Sequence, residues 1–351
     1  MMARKQVQIE SDFVIIEITN VCNFSCPYCF NNSGQGDDQY MSKENLERII
    51  KGIKPGSIKC VGISGGEPYM HPEIDKILQY IINSGLRLRV VTNGSLLNKA
   101  RLNFLIDNEC TLQLSLDGTN AETHEKYRGA GSFSGIMDTL NYMSSRNYKN
   151  GIIRMTVTKD NYSQVTGLYE LAMEYGFFPS FSIVQPFGLA TRSWKEISLS
   201  DSEYMNVVEQ IKQLVVKDNR MKLQLANIKP IFFCPIEFGD VIMLKPIIDK
   251  NGEMYPCHSL TASEYSMGNC ISSGFSEILQ SISNGSFAEL KKNHESIMKE
   301  KCCACILFQT KKCKMGCPAM AIFSNNELIN KICNQKVVCL VKRSLAVQKS
   351  D

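Results

Sequence analysis

The sequence has no long hydrophobic run, no large excess of charge and no export signal. Its longest apolar stretches, such as residues 13–18, are far shorter than the roughly 20 residues that a membrane-spanning helix needs. A net charge of +4 gives no reason to expect binding to nucleic acid or to an anionic membrane. Polar residues follow the early positive charges, where a signal peptide would have an apolar core. These absences predict a cytoplasmic protein that binds neither nucleic acid nor membrane.

Cysteine, by contrast, is abundant. The chain has fifteen cysteines, and ten of them fall between residues 234 and 339. A secreted disulfide scaffold would be short, with an even number of cysteines and an export signal, and none of these applies. Clustered thiols in a reducing compartment favour metal or iron–sulfur binding. Cys60 and Cys110, which lie in or beside strand-like runs, are expected to be small core residues.

Strand-like and helix-like segments alternate from residue 13 to about residue 217. Pro72 predicts the first residue of the second helix, and Ser200 with Glu203 predicts a capping box. Six strands that are each followed by a helix imply parallel pairing through right-handed crossovers. We therefore predict an α/β fold, a partial (β/α)6 TIM-type barrel, with an open doubly wound sheet as the alternative. The predicted strands are residues 13–18, 58–64, 86–91, 111–116, 152–158 and 180–185.

The regular alternation ends near Pro230. The remaining residues combine short strand-like pieces, a stretch rich in Gly, Ser and Asn, and most of the cysteines. A segment with so little apolar periodicity needs cross-links, which metal clusters would supply. We predict two domains: a barrel over residues 12–230, and a small, irregular, cysteine-rich domain over residues 231–351.

Three cysteines, Cys22, Cys26 and Cys29, follow the first predicted strand with the spacing Cys-x3-Cys-x2-Cys. A zinc site, the alternative, favours Cys-x2-Cys pairs and a closed tetrahedron of four ligands. Three thiolates can instead bind three corners of a [4Fe–4S] cluster and leave its fourth iron open. The second predicted strand ends in a Gly-Gly-Glu-Pro motif at residues 65–68, where two glycines let the backbone approach a ligand closely.

This cysteine loop, followed one βα unit later by Gly-Gly-Glu-Pro, resembles the radical S-adenosylmethionine (SAM) enzymes. The resemblance implies that SAM chelates the open iron. It also implies that Tyr28 touches the adenine and that Arg128, whose planar guanidinium suits a carboxylate, binds the carboxylate of SAM. Gly65, Gly66 and Glu67 would hold the SAM amino group. Ser115 and Asp117, with Asn93 as a further candidate, would bind the ribose hydroxyls or the carboxylate.

The later cysteines resemble the SPASM domain, a twin-cluster extension found in this superfamily. By resemblance, Cys234, Cys257 and Cys317 bind a first auxiliary [4Fe–4S] cluster. A second auxiliary cluster, the third [4Fe–4S] cluster of the chain, would be bound by Cys302, Cys305, Cys313 and Cys333. Three points stay open: whether the fourth ligand of the first auxiliary cluster is Cys270, another cysteine or the substrate at an open site, whether Cys303 replaces Cys302, and whether Cys339 replaces Cys333. Two structural zinc sites are the alternative for the whole group.

The resemblance implies reductive cleavage of SAM to a 5′-deoxyadenosyl radical, which removes hydrogen from a substrate. Most proteins with the twin-cluster extension act on peptides, so we predict a maturase that forms a thioether or C–C cross-link in a ribosomally made peptide. The first alternative is an anaerobic sulfatase maturase, which makes formylglycine; those enzymes have an aspartate where this chain has His258. His258 could instead serve as a catalytic base. The second alternative is a non-catalytic iron–sulfur electron carrier.

The expected partners are a peptide or protein substrate and an electron donor of the flavodoxin or ferredoxin type. Only twelve residues precede the first predicted strand. The leader-peptide-binding domain of some peptide maturases is therefore expected to be a separate protein, unless the core binds the peptide itself.

Overall fold

The computed structural model describes residues 8–10, 12–53, 57–222, 224, 241–243, 245–261 and 263–282. Its strands are β1 (Gln8–Glu10), β2 (Phe13–Glu17), β3 (Cys60–Ser64), β4 (Arg87–Thr92), β5 (Thr111–Ser115), β6 (Gly151–Val157), β7 (Phe178–Ile183), β8 (Val241–Met243), β9 (Ile247–Ile248), β10 (Glu253–Tyr255) and β11 (Gly268–Asn269). Its α-helices are α1 (Lys43–Lys51), α2 (Ile74–Asn83), α3 (Lys99–Asp107), α4 (Ala121–Arg128), α5 (Ser132–Ser145), α6 (Val165–Glu174), α7 (Trp194–Ile197), α8 (Asp201–Lys217), α9 (Cys270–Ser273) and α10 (Phe275–Ile282).

The largest sheet has the strand order β11-β10-β9-β2-β3-β4-β5-β6-β7. Strands β2 to β7 are all parallel, and at least one helix lies between each successive pair. Their order in space follows their order in the chain without the reversal that defines a doubly wound sheet. The predicted fold class is therefore confirmed, in its barrel form.

The core lies between this sheet and its helices. Residues along β6 alternate strictly, so that Ile153 and Met155 are buried on the helix side and Arg154 lies on the opposite face. The helices complete the core with apolar residues at helical spacing, as at Leu46 and Ile49 of α1. This pattern leaves polar side chains on the sheet face away from the helices, toward the carboxyl ends of the strands.

The second helix begins later than Pro72 predicts. The N–H group of Glu73 donates a hydrogen bond of 3.1 Å to Nδ1 of His71. Pro72 and Glu73 therefore form a turn, and α2 begins at Ile74. The capping box predicted at Ser200 and Glu203 is confirmed at the start of α8.

The sheet continues into the C-terminal part of the chain, which the sequence does not reveal. Strand β9 pairs in parallel with β2, so that Ile15 lies opposite Ile247, and both residues of β9 are fully buried. One compact unit accordingly contains Glu10–Ser198 together with Leu244–Gln280, whereas α8 belongs to a second unit. The predicted domain boundary at residues 230 and 231 lies outside the described residues and stays a prediction. Over the described ranges, no helix is both long enough and apolar enough to cross a bilayer.

Candidate active site

The loop between β2 and α1 carries the three cysteines of the first motif. The N–H group of Cys29 donates to the carbonyl of Cys26 at 2.9 Å, which closes a tight turn. Backbone N–H groups also reach the sulfur atoms: Phe24 donates to Cys22 and Ser33 to Cys29, each at 3.4 Å. Burial raises the pKa of Cys22 to about 11 and also raises that of Cys26. Iron binding must therefore displace protons from these thiols.

The Gly-Gly-Glu motif packs directly on this loop. The N–H group of Gly66 donates to the carbonyl of Thr19, and that of Glu67 donates to the carbonyl of Val21, both at 2.8 Å. A Cβ atom would lie 2.3 Å from the Thr19 oxygen if placed at Gly65, and 2.1 Å from the Val21 oxygen if placed at Gly66. Gly65 also has a φ of +139°. Only glycine permits this approach, so the motif fixes the cysteine loop against the end of β3.

Glu67 connects the motif to the next strand. Its side chain is fully buried, and its carboxylate accepts hydrogen bonds from Thr92 Oγ1 at 2.7 Å and from the Asn93 N–H group at 2.8 Å. Burial raises the pKa of Glu67, while these bonds act in the opposite direction. The Asn93 amide then donates to Asn23 Oδ1 at 3.0 Å, inside the cysteine loop. Three loops, those after β2, β3 and β4, are thus held together.

Tyr28, Asp117 and Arg128 form a buried cluster. Asp117 is fully buried, and its Oδ2 atom accepts hydrogen bonds from the Tyr28 hydroxyl and from Arg128 Nε. Its Oδ1 atom accepts from the N–H group of Thr156 at 2.7 Å. The Arg128 guanidinium lies 5.7 Å from the Tyr28 ring centroid, and its charge lowers the pKa of Cys26 against the larger effect of burial. Asp117 therefore joins Arg128 to Tyr28, which lies within the cysteine loop, and the SAM contacts assigned to all three stay predictions.

A second group of polar residues lies near the end of β2. Glu17 Oε1 accepts a hydrogen bond from the Asn31 amide at 2.8 Å and lies 3.9 Å from Nδ1 of His258. Burial, with the side chain 13% exposed, raises the pKa of Glu17 to about 7. A general base works best when its pKa lies near the working pH. Glu17 is not among the site residues predicted from the sequence, although a carboxylate at the end of a buried strand is a recognisable feature.

His258 follows Cys257 in the chain and stacks edge-on against Phe30, with 5.6 Å between ring centroids. Desolvation, followed by the positive charges of Arg154 and Lys245, lowers its pKa to about 3. Because 47% of the side chain remains exposed, water weakens this effect, but its direction leaves a neutral imidazole at pH 7. A neutral imidazole can accept a proton, although a lowered pKa makes it a weaker base than an ordinary histidine, and the catalytic role of His258 stays a prediction.

Of the cysteines considered as ligands of the auxiliary clusters, the structure describes Cys257 and Cys270. Cys257 is half-buried after β10, and Cys270 is buried at the start of α9, where burial raises the pKa of its thiol to about 12. Cys110 is buried as expected, and Cys60 is half-buried. The other predicted or alternative ligands lie outside the described residues: Cys234, Cys302, Cys303, Cys305, Cys313, Cys317, Cys333 and Cys339. The ligand sets of the auxiliary clusters stay predictions.

The residues of the first motif suit an iron–sulfur cluster. Their three thiols lie on one loop, and each thiolate would bind a different iron. Ser33 Oγ, beside Cys29, is buried and has no hydrogen-bond partner among the described residues, so it could donate to a group bound there.

Two family models match the chain. Residues 16–172 match the radical SAM superfamily, and residues 244–306 match the SPASM iron–sulfur cluster-binding domain. The chain belongs to the radical SAM superfamily and carries a SPASM domain. Its cofactors are accordingly SAM and [4Fe–4S] clusters, which confirms those predictions.

The chain is also similar to individual proteins, in sequence or in fold. The chain is 24% identical over 316 residues to mycofactocin maturase MftC of Mycolicibacterium smegmatis, covering 88% of this chain and 78% of MftC. Its fold is similar to that of Streptococcus suis SuiB bound to the precursor peptide SuiA, with a TM-score of 0.61, 17% identity and coverage of 79% of this chain and 65% of SuiB. It is also similar to anSMEcpe with bound AdoMet, with a TM-score of 0.66, 18% identity and coverage of 96% and 99%.

Replacing Gly66 by alanine should remove one iron–sulfur cluster per chain. The added Cβ would overlap the Val21 carbonyl and push the cysteine loop away from β3. Iron content and visible absorbance after anaerobic reconstitution measure the loss, and circular dichroism checks the fold. Gly135→Ala, in α5 with open space around its Cβ position, is the matched control and should retain all iron. Full iron loading of both variants would contradict the role given to Gly66.

Replacing Glu17 by glutamine should flatten the pH dependence of stability. A carboxyl whose pKa rises from 4.5 to about 7 on folding holds its proton more tightly when folded. The free energy of unfolding therefore falls as the pH rises through this window. At about 1.4 kcal/mol per pH unit, the variant should gain about 3 kcal/mol over the wild type between pH 5 and pH 8. Urea denaturation at both pH values measures this; parallel curves would contradict the burial of Glu17.

Proposed function

We propose that this chain is a radical SAM peptide maturase, which forms a thioether or C–C cross-link in a ribosomally made peptide. The observation that carries the proposal is the cysteine loop fixed on the Gly-Gly-Glu motif, in a chain that also has a SPASM domain. MftC is a maturase by name, and SuiB was crystallised with a precursor peptide, which supports a peptide substrate.

The residues of the site have separate roles in this proposal. Cys22, Cys26 and Cys29 would hold the cluster, and the motif at Gly65, Gly66 and Glu67 would bind the SAM amino group. When bound and reduced, the cluster and SAM supply a 5′-deoxyadenosyl radical that removes hydrogen from carbon. Glu67 and Asp117 keep these elements in place through the hydrogen bonds described above.

Water must be kept from such a site. Tyr28 packs in a small apolar group with Val184, Ala190 and Ile197, from the segment after β7. That segment is also hydrogen-bonded to the cysteine loop, because the N–H group of Leu189 donates to the carbonyl of Cys29 at 2.9 Å. The segment after β7 thus covers one side of the loop and limits solvent access to it.

The remaining features of the proposal are three [4Fe–4S] clusters, an electron donor of the flavodoxin or ferredoxin type, and a separate leader-peptide-binding protein. The auxiliary clusters would be held by the cysteines named for the SPASM domain. The proposed division into a barrel over residues 12–230 and a cluster domain over residues 231–351 goes with this assignment.

The two other candidate functions have less support. His258 stands at the position where anaerobic sulfatase maturases carry an aspartate, which disfavours formylglycine formation. An electron carrier would need the cysteines alone, and would gain nothing from the glycine contacts at residues 65 and 66 or from the buried cluster around Asp117.

The proposal predicts two products from one assay. Anaerobically reconstituted protein, supplied with SAM and dithionite, should form 5′-deoxyadenosine, detected by chromatography. With a short cysteine-containing peptide encoded beside the gene, the peptide should lose two hydrogens and become cross-linked, as mass spectrometry of its fragments measures. The triple variant of Cys22, Cys26 and Cys29 to alanine is the control and should form neither product.

Each contrary outcome has a distinct meaning. A peptide product that reacts with hydrazide reagents contains an aldehyde, which would identify a formylglycine-forming enzyme. No 5′-deoxyadenosine from protein with full iron loading would contradict the radical mechanism and favour an electron carrier.

A further inference from the structure

Two arginines lie on the sheet face away from the helices. Arg154, in the middle of β6, donates to Ser180 Oγ at 3.4 Å and to Ser182 Oγ, both on the neighbouring strand β7. Arg89, in β4, stacks its guanidinium on the Phe13 ring, 4.8 Å from the ring centroid. Both interrupt strands whose other residues are mostly apolar, and the function proposed above uses neither of them.

Neither arginine forms an ion pair with any residue that the structure describes. Arg89 Nε is also buried and has no hydrogen-bond partner among those residues. Of the described carboxylates, that of Asp117 acts favourably on Arg154, but its oxygens already bind Tyr28, Arg128 and Thr156. Over the described residues, the positive charges on this face therefore lack local neutralisation.

Such a placement is unfavourable for the fold. Both arginine side chains are half-buried, so each charge loses part of its hydration. The charge of Arg89 also adds to the effect of burial in lowering the pKa of Arg154. Two serine hydroxyls offset only part of the lost hydration, and a bound anion would neutralise the charge and offset the rest.

The position of Arg154 relates it to the predicted cofactor site. Arg154 pairs across the sheet with Ser115, and lies two residues before Thr156, whose N–H group binds Asp117. The Arg154 side chain is therefore nearer the amino ends of the strands than the cluster of Tyr28, Asp117 and Arg128, by two residues along β6.

We infer that Arg154 anchors a carboxylate-binding subsite on the inner face of the barrel. Its guanidinium offers donors in a planar fork, which suits a carboxylate, and Ser180 and Ser182 hold that fork in place. The carboxylate belongs either to the peptide substrate or to SAM. The peptide is favoured because the carboxylate of SAM is already assigned to Arg128, so a second carboxylate would come from the peptide. The peptide assignment depends on the proposed function.

Arg154→Gln, in the anaerobically reconstituted full chain, tests the subsite without using catalysis. Without ligand, the variant should melt at a higher temperature than the wild type, because an unpaired charge is removed. N-acetylglutamic acid α-amide should raise the melting temperature of the wild type and leave that of the variant unchanged. The neutral N-acetylglutamine amide should affect neither protein. Arg87→Gln, at an exposed position of β4, is the matched control and should respond as the wild type does.

A second arm distinguishes the source of the carboxylate. Equilibrium dialysis with radiolabelled SAM should give the same affinity for Arg154→Gln and for the wild type if the carboxylate is that of the peptide. A loss of affinity of about tenfold or more, the effect of losing a charge-assisted hydrogen bond, would instead assign the subsite to SAM. Once the probe response has shown a carboxylate site, the SAM affinity assigns its source, and neither measurement requires that 5′-deoxyadenosine be formed.

The inference is overturned if Arg154→Gln lowers the melting temperature while leaving both the probe response and SAM affinity unchanged, because Arg154 would then only support β7.

If Arg154→Gln does not fold, Arg154→Lys keeps the charge but loses the planar fork of donors. This variant should weaken the response to the carboxylate probe, or the SAM affinity, and an unaltered response in both would equally overturn the inference. A wild type that responds to the probe but forms no 5′-deoxyadenosine would contradict the proposed function alone.

Discussion

The close contact between the glycines at residues 65 and 66 and the cysteine loop is the constraint on which the site depends. Two backbone hydrogen bonds of 2.8 Å join the loop after β2 to the end of β3, at a separation that no side chain could tolerate. Because of this contact, three thiols and the backbone predicted to bind SAM are placed beside each other by main-chain geometry alone. Preorganisation of this kind reduces the entropy that cofactor binding would otherwise cost.

Buried charges organise the remainder of the site. Glu67 links three loops, and Asp117 holds Tyr28 and Arg128 beside Cys26. Both carboxylates are fully buried and fully hydrogen-bonded, which is the condition under which buried charge is tolerated. Arg154 differs from both, because it is half-buried and forms no ion pair with a described residue, and this difference suggests a ligand. The site thus combines satisfied charges that fix its shape with an unsatisfied one that is available to bind.

The sequence predicted the barrel well because its strands are long enough to show a pattern. The predicted strand over residues 111–116 and the observed β5 differ by one residue, and strand order in a singly wound sheet follows chain order. Strand β9 was missed, since two residues carry no periodicity and its pairing with β2 joins positions more than 200 residues apart. The helix start at Ile74 was displaced by a local bond from the Glu73 N–H group to the His71 ring, which competes with the preference of Pro72.

Motif residues were found more readily than their partners. The cysteines and the paired glycines can be recognised in the sequence because cofactor binding requires them at fixed intervals. The hydrogen bond between Tyr28 and Asp117 cannot be recognised in this way. The two residues are 89 positions apart, and side-chain conformation and burial decide whether they meet. Arg154 carried a usable signal, a charge within a buried strand, but nothing in the sequence shows that it lacks an acidic partner.

Radical chemistry at this site depends on an iron that Cys22, Cys26 and Cys29 leave open to SAM. Electron–nuclear double resonance on the reduced protein, with SAM labelled with ¹⁵N in its amino group, tests this most directly. Chelation of the open iron by SAM should give a hyperfine coupling between the cluster and the labelled nitrogen. A cluster signal that shows no coupling, and does not change when SAM is added, would exclude such an open iron.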